Sequence, residues 1–250
     1  MVNSFLKQLN IEFKIYIRQP LYLLFSIVMP VANLIIFGSM YSQQKYSGQD
    51  FFSMFIPGFC VLILYATAVF NVGNQIVSDR EKGIYKRILV TPITLARFVS
   101  AILIKALITA IASFSLILLT TNLLFNINFS FETIPFILGY FVMTIYALLV
   151  GIGISLLISK MTTYTSVMMG LFFPLFILSD AAIPIQLLPE WLQGISIVNP
   201  LYHANVILRS TWSEDMYQFY SNELWISYGA LAIILIFVYI LVMRKWSKRG

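Results

Sequence analysis

The chain has 250 residues, of which 60% are hydrophobic and 10% charged, and its formal net charge is +6. Because an ordinary soluble domain carries about 25% charged residues, this composition excludes a water-soluble fold and predicts a membrane protein. The single cysteine, Cys60, excludes an internal disulfide, the single histidine leaves no Cys/His metal site, and we expect no nucleic-acid partner.

Residues 1–18 form the first predicted element, an amphipathic helix. At 100° per residue its apolar side chains share one third of the circumference, and they are Phe5, Leu6, Leu9, Phe13, Tyr16 and Ile17. Lys7, Lys14 and Arg18 lie on the opposite side. The pattern predicts a helix in the cytoplasmic headgroup plane, with its basic side toward anionic lipid. A cytosolic segment packed on the rest of the protein is the alternative.

Six apolar intervals free of ionisable side chains follow, and each is long enough to cross a bilayer as a helix. They are residues 19–44, 51–78, 106–131, 133–159, 161–179 and 224–243. Such long, uniformly apolar runs exclude barrel strands. A seventh uncharged run, 191–208, is a poor span because it carries Gln193, Asn199 and His203. We predict an all-α integral membrane protein with six transmembrane helices in a single domain, residues 1–250.

The distribution of basic residues predicts the orientation. With six spans, every Lys and Arg except Lys45 and Arg209 falls on the side of the two termini. Basic residues favour the cytoplasmic side, so both termini are predicted to be cytoplasmic.

The next basic residue after the loop between spans two and three, Lys105, is expected to snorkel toward the interface. The alternatives for Lys105 are a late start of span three and a buried charge that faces a pathway through the protein.

The fourth predicted span carries Ala147, Gly151, Ser155 and Ser159 at four-residue intervals. Small residues on one stripe allow the backbones of two helices to approach closely. This stripe predicts close packing, either within the chain or at a subunit interface.

A cytoplasmic loop, residues 78–98, concentrates charge between two apolar spans. Within it, residues 79–91 are predicted to form a short helix whose apolar edge contains Ile84 and Ile88. Thr91-Pro92 should end this helix, with Thr91 capping the next one and Pro92 at its first position. Such an element is rigid and attached to two transmembrane helices, so a partner that binds it could move both. An ordinary basic loop that only sets the topology remains the alternative.

The outer segment 180–212 is apolar but interrupted by Pro184, Pro189 and Asn199-Pro200. Irregular backbone at membrane depth is tolerated only inside protein or along a wet cavity. A re-entrant pair of short helices is therefore predicted, with Trp191 as an interfacial anchor; a loop lying on the outer leaflet is the alternative. We interpret His203 as a hydrogen-bonded structural residue.

Three stretches resemble the type-2 ATP-binding-cassette (ABC) exporter permeases of the bacterial cytoplasmic membrane. They are "FIPGF", "EKGIYKRILVTPI" and "IPIQLLPEWLQGISIVNPLYHANVILR", in the same order and with the same span count. The resemblance implies that 79–91 is a coupling helix and that 180–212 forms an extracellular gate. The implied coupling residues are Glu81, Lys82, Gly83, Ile84, Lys86, Arg87, Leu89, Thr91 and Pro92. The implied gate residues are Pro184, Pro189, Trp191, Asn199 and Pro200.

One position departs from the family pattern. The family usually has Ser-Gly where this chain has Ser179-Asp180, which puts a tight glycine turn in doubt. We interpret Asp180 as an aspartate at the water interface.

The same resemblance implies the partners. No glycine in the chain is followed by lysine, so the chain lacks a P-loop and is not expected to be an enzyme or to bind a cofactor. ATP and Mg²⁺ would be bound by a separate cytosolic ABC ATPase, in two copies, and the permease would pair with a second copy or a paralogue within membrane lipid.

The implied function is export of an amphipathic substrate such as a drug, an antibiotic or a lipid-like molecule. Export of a lipid-linked polysaccharide or another cell-wall polymer precursor is an alternative with the same fold. A non-transporting scaffold or a channel is the alternative of another class, and a membrane-embedded enzyme is disfavoured because the spans contain no cluster of carboxylates, His or Cys.

Overall fold

We analysed a computed structural model of the chain, which describes residues 2–46, 48–91, 94–127, 133–181, 183, 185 and 188–247. Two of the predicted site residues, Pro92 and Pro184, lie outside these described residues. The described chain is almost entirely helical. Its only extended pairing is an antiparallel ribbon of two-residue strands, β1 (Lys45–Tyr46) and β2 (Gln49–Asp50).

Ten helices follow one another along the part of the chain that the structure describes. Helix α1 is Val2–Ile17; α2 joins Pro20–Leu23, a π-helical turn Leu24–Val28, and Met29–Tyr41; α3 joins Phe51–Tyr65, a π-helical segment Ala66–Gly73, and Asn74–Glu81. The others are α4 Ile84–Ile88, α5 Leu95–Phe125, α6 Ile134–Leu157, α7 Met161–Ile177, α8 Glu190–Ser196, α9 Pro200–Ser210 and α10 Glu214–Ser247.

Five of these helices contain stretches long and apolar enough to cross a membrane. They are Leu24–Tyr41, Phe51–Glu81, Leu95–Phe125, Ile134–Leu157 and Glu214–Lys245. The remaining predicted span, 161–179, appears as the apolar helix Met161–Ile177, which is shorter at 17 residues. An all-α membrane protein is thus supported, whereas the six-span count and the cytoplasmic position of both termini stay predictions. We call the end of the bundle that carries residues 82–91 the inner end.

Helix α3 is the centre of the bundle. Its 18-residue membrane window is completely buried inside the protein, which agrees with a helix that is apolar on all sides. Asp50 begins the helix by accepting a hydrogen bond from the Ser53 amide at 3.0 Å. The glycine of "FIPGF" has a structural reason, because a Cβ on Gly58 would lie 2.8 Å from the Cα of Ala181.

The small-residue stripe of the fourth span packs within the chain. A Cβ on Gly151 would lie 2.6 Å from the carbonyl oxygen of Ala68 in α3. Ser155 is fully buried one turn further along α6. The close approach predicted for this stripe is therefore used between α6 and α3, the intrachain alternative.

Candidate functional site

The inner loop is built differently from the single helix predicted over 79–91. Residues 79–81 are the end of α3, and the separate helix α4 covers only Ile84–Ile88. The break falls at Gly83, which adopts φ +68°, in the left-handed region. A residue with a Cβ is disfavoured there, which explains why the motif has glycine at this position.

One side of the loop is anchored to the bundle. Ile88 is buried, Ile84 is half-buried, and the Tyr85 ring packs edge-on against Phe98 of α5 with centroids 5.9 Å apart. The other side is exposed and combines basic with apolar side chains, with Leu89 71% and Val90 86% exposed. We call this exposed set the docking surface, and its members are Lys82, Lys86, Arg87, Leu89 and Val90. Exposed apolar side chains of this kind mark interaction sites.

The entry into the third span also differs from the prediction. Helix α5 begins at Leu95, and its cap is Thr94, which accepts a hydrogen bond from the Arg97 amide at 3.3 Å. Thr91, predicted as the cap, instead donates its hydroxyl to the carbonyl of Ile88 at 2.7 Å and closes the end of α4. A threonine does cap α5, but it is Thr94, three residues beyond the predicted Thr91, and leucine rather than proline follows it.

We expect Gly83→Ala to destabilise the loop by about 1–2 kcal/mol, because alanine must adopt the left-handed conformation. A suitable control is Gly170→Ala in α7, where a Cβ meets no atom within 4 Å and the backbone is helical. That change should stabilise the helix by about 0.5–1 kcal/mol. The free energy of unfolding measures both effects, and equal signs for the two variants would contradict the assigned geometry of Gly83.

The inner ends of four helices are joined around residues 155–161. Arg80 of α3 donates to the carbonyl of Ser155 at 2.8 Å and also to that of Ile158. Lys245 of α10 donates to the carbonyl of Leu157 at 2.8 Å. The Met161 amide, at the start of α7, donates to the Glu81 carboxylate at 2.8 Å. Basic groups at the end of α6 and a carboxylate at the start of α7 both suit the helix dipoles.

A buried polar cluster attaches the N-terminal helix to the bundle. Glu12 of α1 forms an ion pair with Lys105 of α5 at 3.3 Å, and the Gln75 side-chain amide donates to Glu12 at 2.7 Å. Lys105 also donates to the Gln75 side-chain oxygen. Asp79, which is 9% exposed, interacts electrostatically with both Glu12 and Lys105.

Lys105 therefore does not snorkel, because its side chain is only 1% exposed and is neutralised by Glu12. The helix α5 begins ten residues before Lys105, whereas the residue at which it enters the membrane stays a prediction. The structure contains a buried charge at Lys105, paired with Glu12, whereas a pathway that this charge would face stays a prediction. A buried lysine requires such a partner, and the partner comes from α1, 93 residues earlier in the chain.

The N-terminal helix has the predicted length but a rotated buried face. Leu6 and Ile17, assigned to the apolar side, are 56% and 63% exposed, whereas Tyr16 and Glu12 are buried. On the helical wheel, at 100° per residue, Glu12 lies next to Phe5, at the edge of the predicted apolar face. An acidic residue beside an apolar face was the available sequence signal for a buried ion pair.

Replacing Lys105 with methionine should destabilise the protein because it leaves the Glu12 carboxylate buried without its cation. Removing both charges, as in Glu12→Gln with Lys105→Met, should cost less than the sum of the single changes. We expect a coupling of about 1–3 kcal/mol in a double-mutant cycle of unfolding free energies. Strictly additive effects would show that the two side chains do not interact.

The outer segment contains two short helices joined by a tight break. Pro189 precedes α8, and Trp191, the predicted anchor, is 68% exposed. At the break, Asn199 accepts from the Leu201 amide at 2.9 Å and donates to the carbonyl of Leu175 in α7 at 2.7 Å. Pro200 occupies the first turn of α9, where its missing N–H costs nothing. The order helix, break, helix agrees with the predicted hairpin, whereas its membrane depth stays a prediction.

Arg209 fixes this segment to the rest of the protein. It is 1% exposed and forms an ion pair with Asp180. It also donates to the carbonyl of Met54 in α3 at 2.8 Å and to the hydroxyl of Tyr220 in α10 at 2.9 Å. One side chain thus ties together α3, α9, α10 and the turn after α7.

The sequence suggested that Asp180 lies at the water interface. In the structure its side chain is buried instead, at 2% exposure. The tight turn is nevertheless present, since Asp180 adopts φ +60° in the left-handed region, which Asp tolerates better than most residues. Its carboxylate accepts from the Ile185 amide at 2.7 Å in addition to pairing with Arg209. Sequence reasoning missed this pair because its two members are 29 residues apart.

The structural interpretation of His203 is confirmed. One ring nitrogen lies 3.0 Å from the hydroxyl of Ser227, and the other lies 2.7 Å from the carbonyl oxygen of Ile197. Both nitrogens are therefore occupied within the protein. His203 joins α9 to α10 and to the break before Pro200.

The two groups of predicted residues lie at opposite ends of α3. Met54 touches the outer group through Arg209, and Glu81 belongs to the inner loop. These residues are 27 positions apart, which corresponds to about 40 Å of helix. The central helix is thus the direct physical connection between the docking surface and the outer hairpin.

Comparison with known proteins assigns a family to this arrangement. The family described as "ABC-2 type transporter" matches residues 5–212. A transport permease named ycf38 of Cyanophora paradoxa is 28% identical, over 91% of this chain and 79% of its own length; its namesake in Porphyra purpurea is 24% identical, over 86% and 76%. A protein named as the multidrug ABC transporter permease YbhR of Escherichia coli K12 is 27% identical, over 64% of this chain and 44% of its own length.

Proposed function

The chain belongs to the ABC-2 type transporter family, and we propose that it is the permease subunit of an exporter for an amphipathic substrate. It is an ABC transporter permease and a multi-pass protein of the cell membrane. The finer proposal concerns the direction, the class of substrate and the way in which energy enters. We infer that the substrate is a drug, an antibiotic or a lipid-like molecule.

The observation that carries the proposal is the docking surface at the inner end of α3. Leu89 and Val90 are 71% and 86% exposed, and Lys86 and Arg87 add positive charge beside them. A cytosolic ATPase with an apolar, acidic groove is the partner that suits this chemistry. That separate ATPase, in two copies, would bind ATP and Mg²⁺, and this chain would pair with a second permease.

The contacts of the loop explain how movement would be transmitted. The loop continues directly from α3, and Glu81 and Arg80 join its base to α7 and α6. A force on α4 therefore acts on several helices together. At the outer end, α3 contacts the hairpin through Arg209, so rigid-body movement of α3 would displace the predicted gate.

Two observations support an amphipathic substrate. The described spans face one another with apolar side chains, and a relative at 27% identity carries a multidrug transporter name. A long hydrophilic polymer would need a wide polar path instead.

The substrate class is tested in vesicles that contain the permease and its ATPase. We expect ATP-dependent accumulation of a lipophilic cationic dye and no ATP-dependent movement of a lipid-linked oligosaccharide. The opposite preference would refute the substrate class while leaving the permease assignment intact.

A further inference from the structure

A cavity of about 180 Å³ lies in the middle of the bundle. Helices α3, α6, α7 and α10 form its walls, and α9 of the outer hairpin covers it with Leu201 and Ala204. It lies outside the docking surface and both buried ion pairs. The contacts of the inner loop and of the outer hairpin do not account for this cavity.

The described residues that line this cavity leave no hydrogen-bond donor free for a ligand. The two tyrosines that line it, Tyr65 and Tyr146, donate their hydroxyls to the carbonyls of Met168 and Leu231, at 3.1 and 3.0 Å. The other lining side chains are aliphatic, methionine or proline. A buried water requires two to four polar partners, so this cavity does not hold ordered water.

The cavity is elongated and accessible from the side of the bundle. Its lining residues Met143 and Ile154 of α6 are eleven positions apart, about 16 Å of helix. Met143 and Met168 are only 5% and 6% exposed, whereas Leu171, on the same wall as Met168, is 46% exposed. The cavity therefore runs from the covered interior to the surface of the bundle beside α7.

We propose that this cavity binds one alkyl chain of an amphiphile. An empty apolar cavity of this size is destabilising because its lining loses packing contacts, and the surrounding bilayer supplies hydrocarbon. A dry cavity of about 150 Å³ lined by aliphatic residues is large enough for benzene. The alkyl chain comes either from a membrane lipid or from the transported molecule, and in the second case the cavity is the apolar part of the proposed substrate site.

Photolabelling of the protein in phosphatidylcholine vesicles tests this binding. The vesicles contain a phosphatidylcholine with a diazirine on one acyl chain, and labelled residues are identified by peptide mass spectrometry. We expect adducts on Met143 and Met168, which the bilayer does not reach unless a chain enters the cavity. Phe173 of α7, which is 58% exposed, should be labelled in every case and serves as the internal reference.

Cavity-filling variants provide the control. Ala147→Phe on the cavity wall should abolish labelling of Met143 and Met168 and leave that of Phe173 unchanged. Leu149→Phe, on the exposed side of the same helix at 51% exposure, should change neither. If Ala147→Phe does not fold, Ala204→Phe fills the cavity from α9 and makes the same prediction.

The source of the chain is distinguished by competition with dodecyltrimethylammonium. Loss of labelling at Met143 and Met168 assigns the cavity to amphiphiles that enter from outside, and persistence assigns it to a resident lipid; both outcomes support the proposal. Unlabelled Met143 and Met168 beside a labelled Phe173, or labelling unaffected by both filling variants, would overturn it. This experiment needs neither ATP nor transport, so its failure is separate from a failure of the proposed permease function.

Discussion

Replacing Arg209 with methionine should destabilise the protein by about 3–5 kcal/mol, because it breaks a buried ion pair and leaves one charge behind. Without the guanidinium, the Asp180 carboxylate, at 2% exposure, keeps only the Ile185 amide as a hydrogen-bond partner among the described residues. The carbonyl of Met54 and the hydroxyl of Tyr220 also lose their donor. The free energy of unfolding, measured in lipid nanodiscs, gives the size of the effect.

Two further variants separate the ion pair from a general loss of positive charge. Lys45→Met removes the other basic residue of the outer side, which is exposed, and should change stability little. Adding Asp180→Asn to Arg209→Met should recover part of the loss, because asparagine is neutral and tolerates the left-handed conformation of residue 180. An Arg209→Met protein as stable as the wild type would contradict the role of this side chain.

Reversing both charges of the docking surface, with Lys86→Glu and Arg87→Glu, should abolish ATP-driven transport and release the ATPase. Both side chains are exposed, so folding and membrane insertion should persist. The expected loss has two causes, since the attraction between the basic side chains and an acidic groove on the partner is lost, and the like charges that replace it repel at a cost of several kcal/mol at an interface. Copurification of the ATPase and the rate of transport provide the two measurements.

The matched control reverses two exposed lysines of α1, Lys7 and Lys14. It changes the net charge by the same amount on the same predicted side of the membrane. Transport should continue in this variant, because α1 does not contain the docking surface. Equal loss in both double variants would indicate a general charge effect and would remove the support for α4 as the point of contact.

Charge-free intervals located the helices well but placed their ends poorly. The rule stops a span at the first charged residue, whereas α3 continues through Asp79 to Glu81 and α5 begins before Lys105. Lys105 is tolerated within α5 because Glu12 of α1 neutralises it, and at the end of α3 Arg80 and Glu81 are held by hydrogen bonds to backbone groups of α6 and α7. Such partners are distant in sequence, as Glu12 is from Lys105, so hydropathy alone does not reveal them.

For the outer segment, the sequence predicted the helix boundaries but not the buried ion pair. Pro189 and Asn199-Pro200 correctly indicated helix boundaries, because proline and asparagine restrict the backbone locally. The burial of Asp180 and Arg209 was not predictable from composition, because each charge can be buried only when it is paired with the other. Gly83 shows the converse case, in which a family motif pointed to the residue and the positive φ supplied its physical reason.

Transport of the lipophilic cationic dye into sealed vesicles that contain this chain, with or without its ATPase, tests most directly whether the ATPase drives the permease. We expect accumulation only when the ATPase and hydrolysable ATP are both present, and none with the Lys86→Glu, Arg87→Glu variant. Dye accumulation by vesicles that contain this chain alone, without nucleotide hydrolysis, would contradict this expectation.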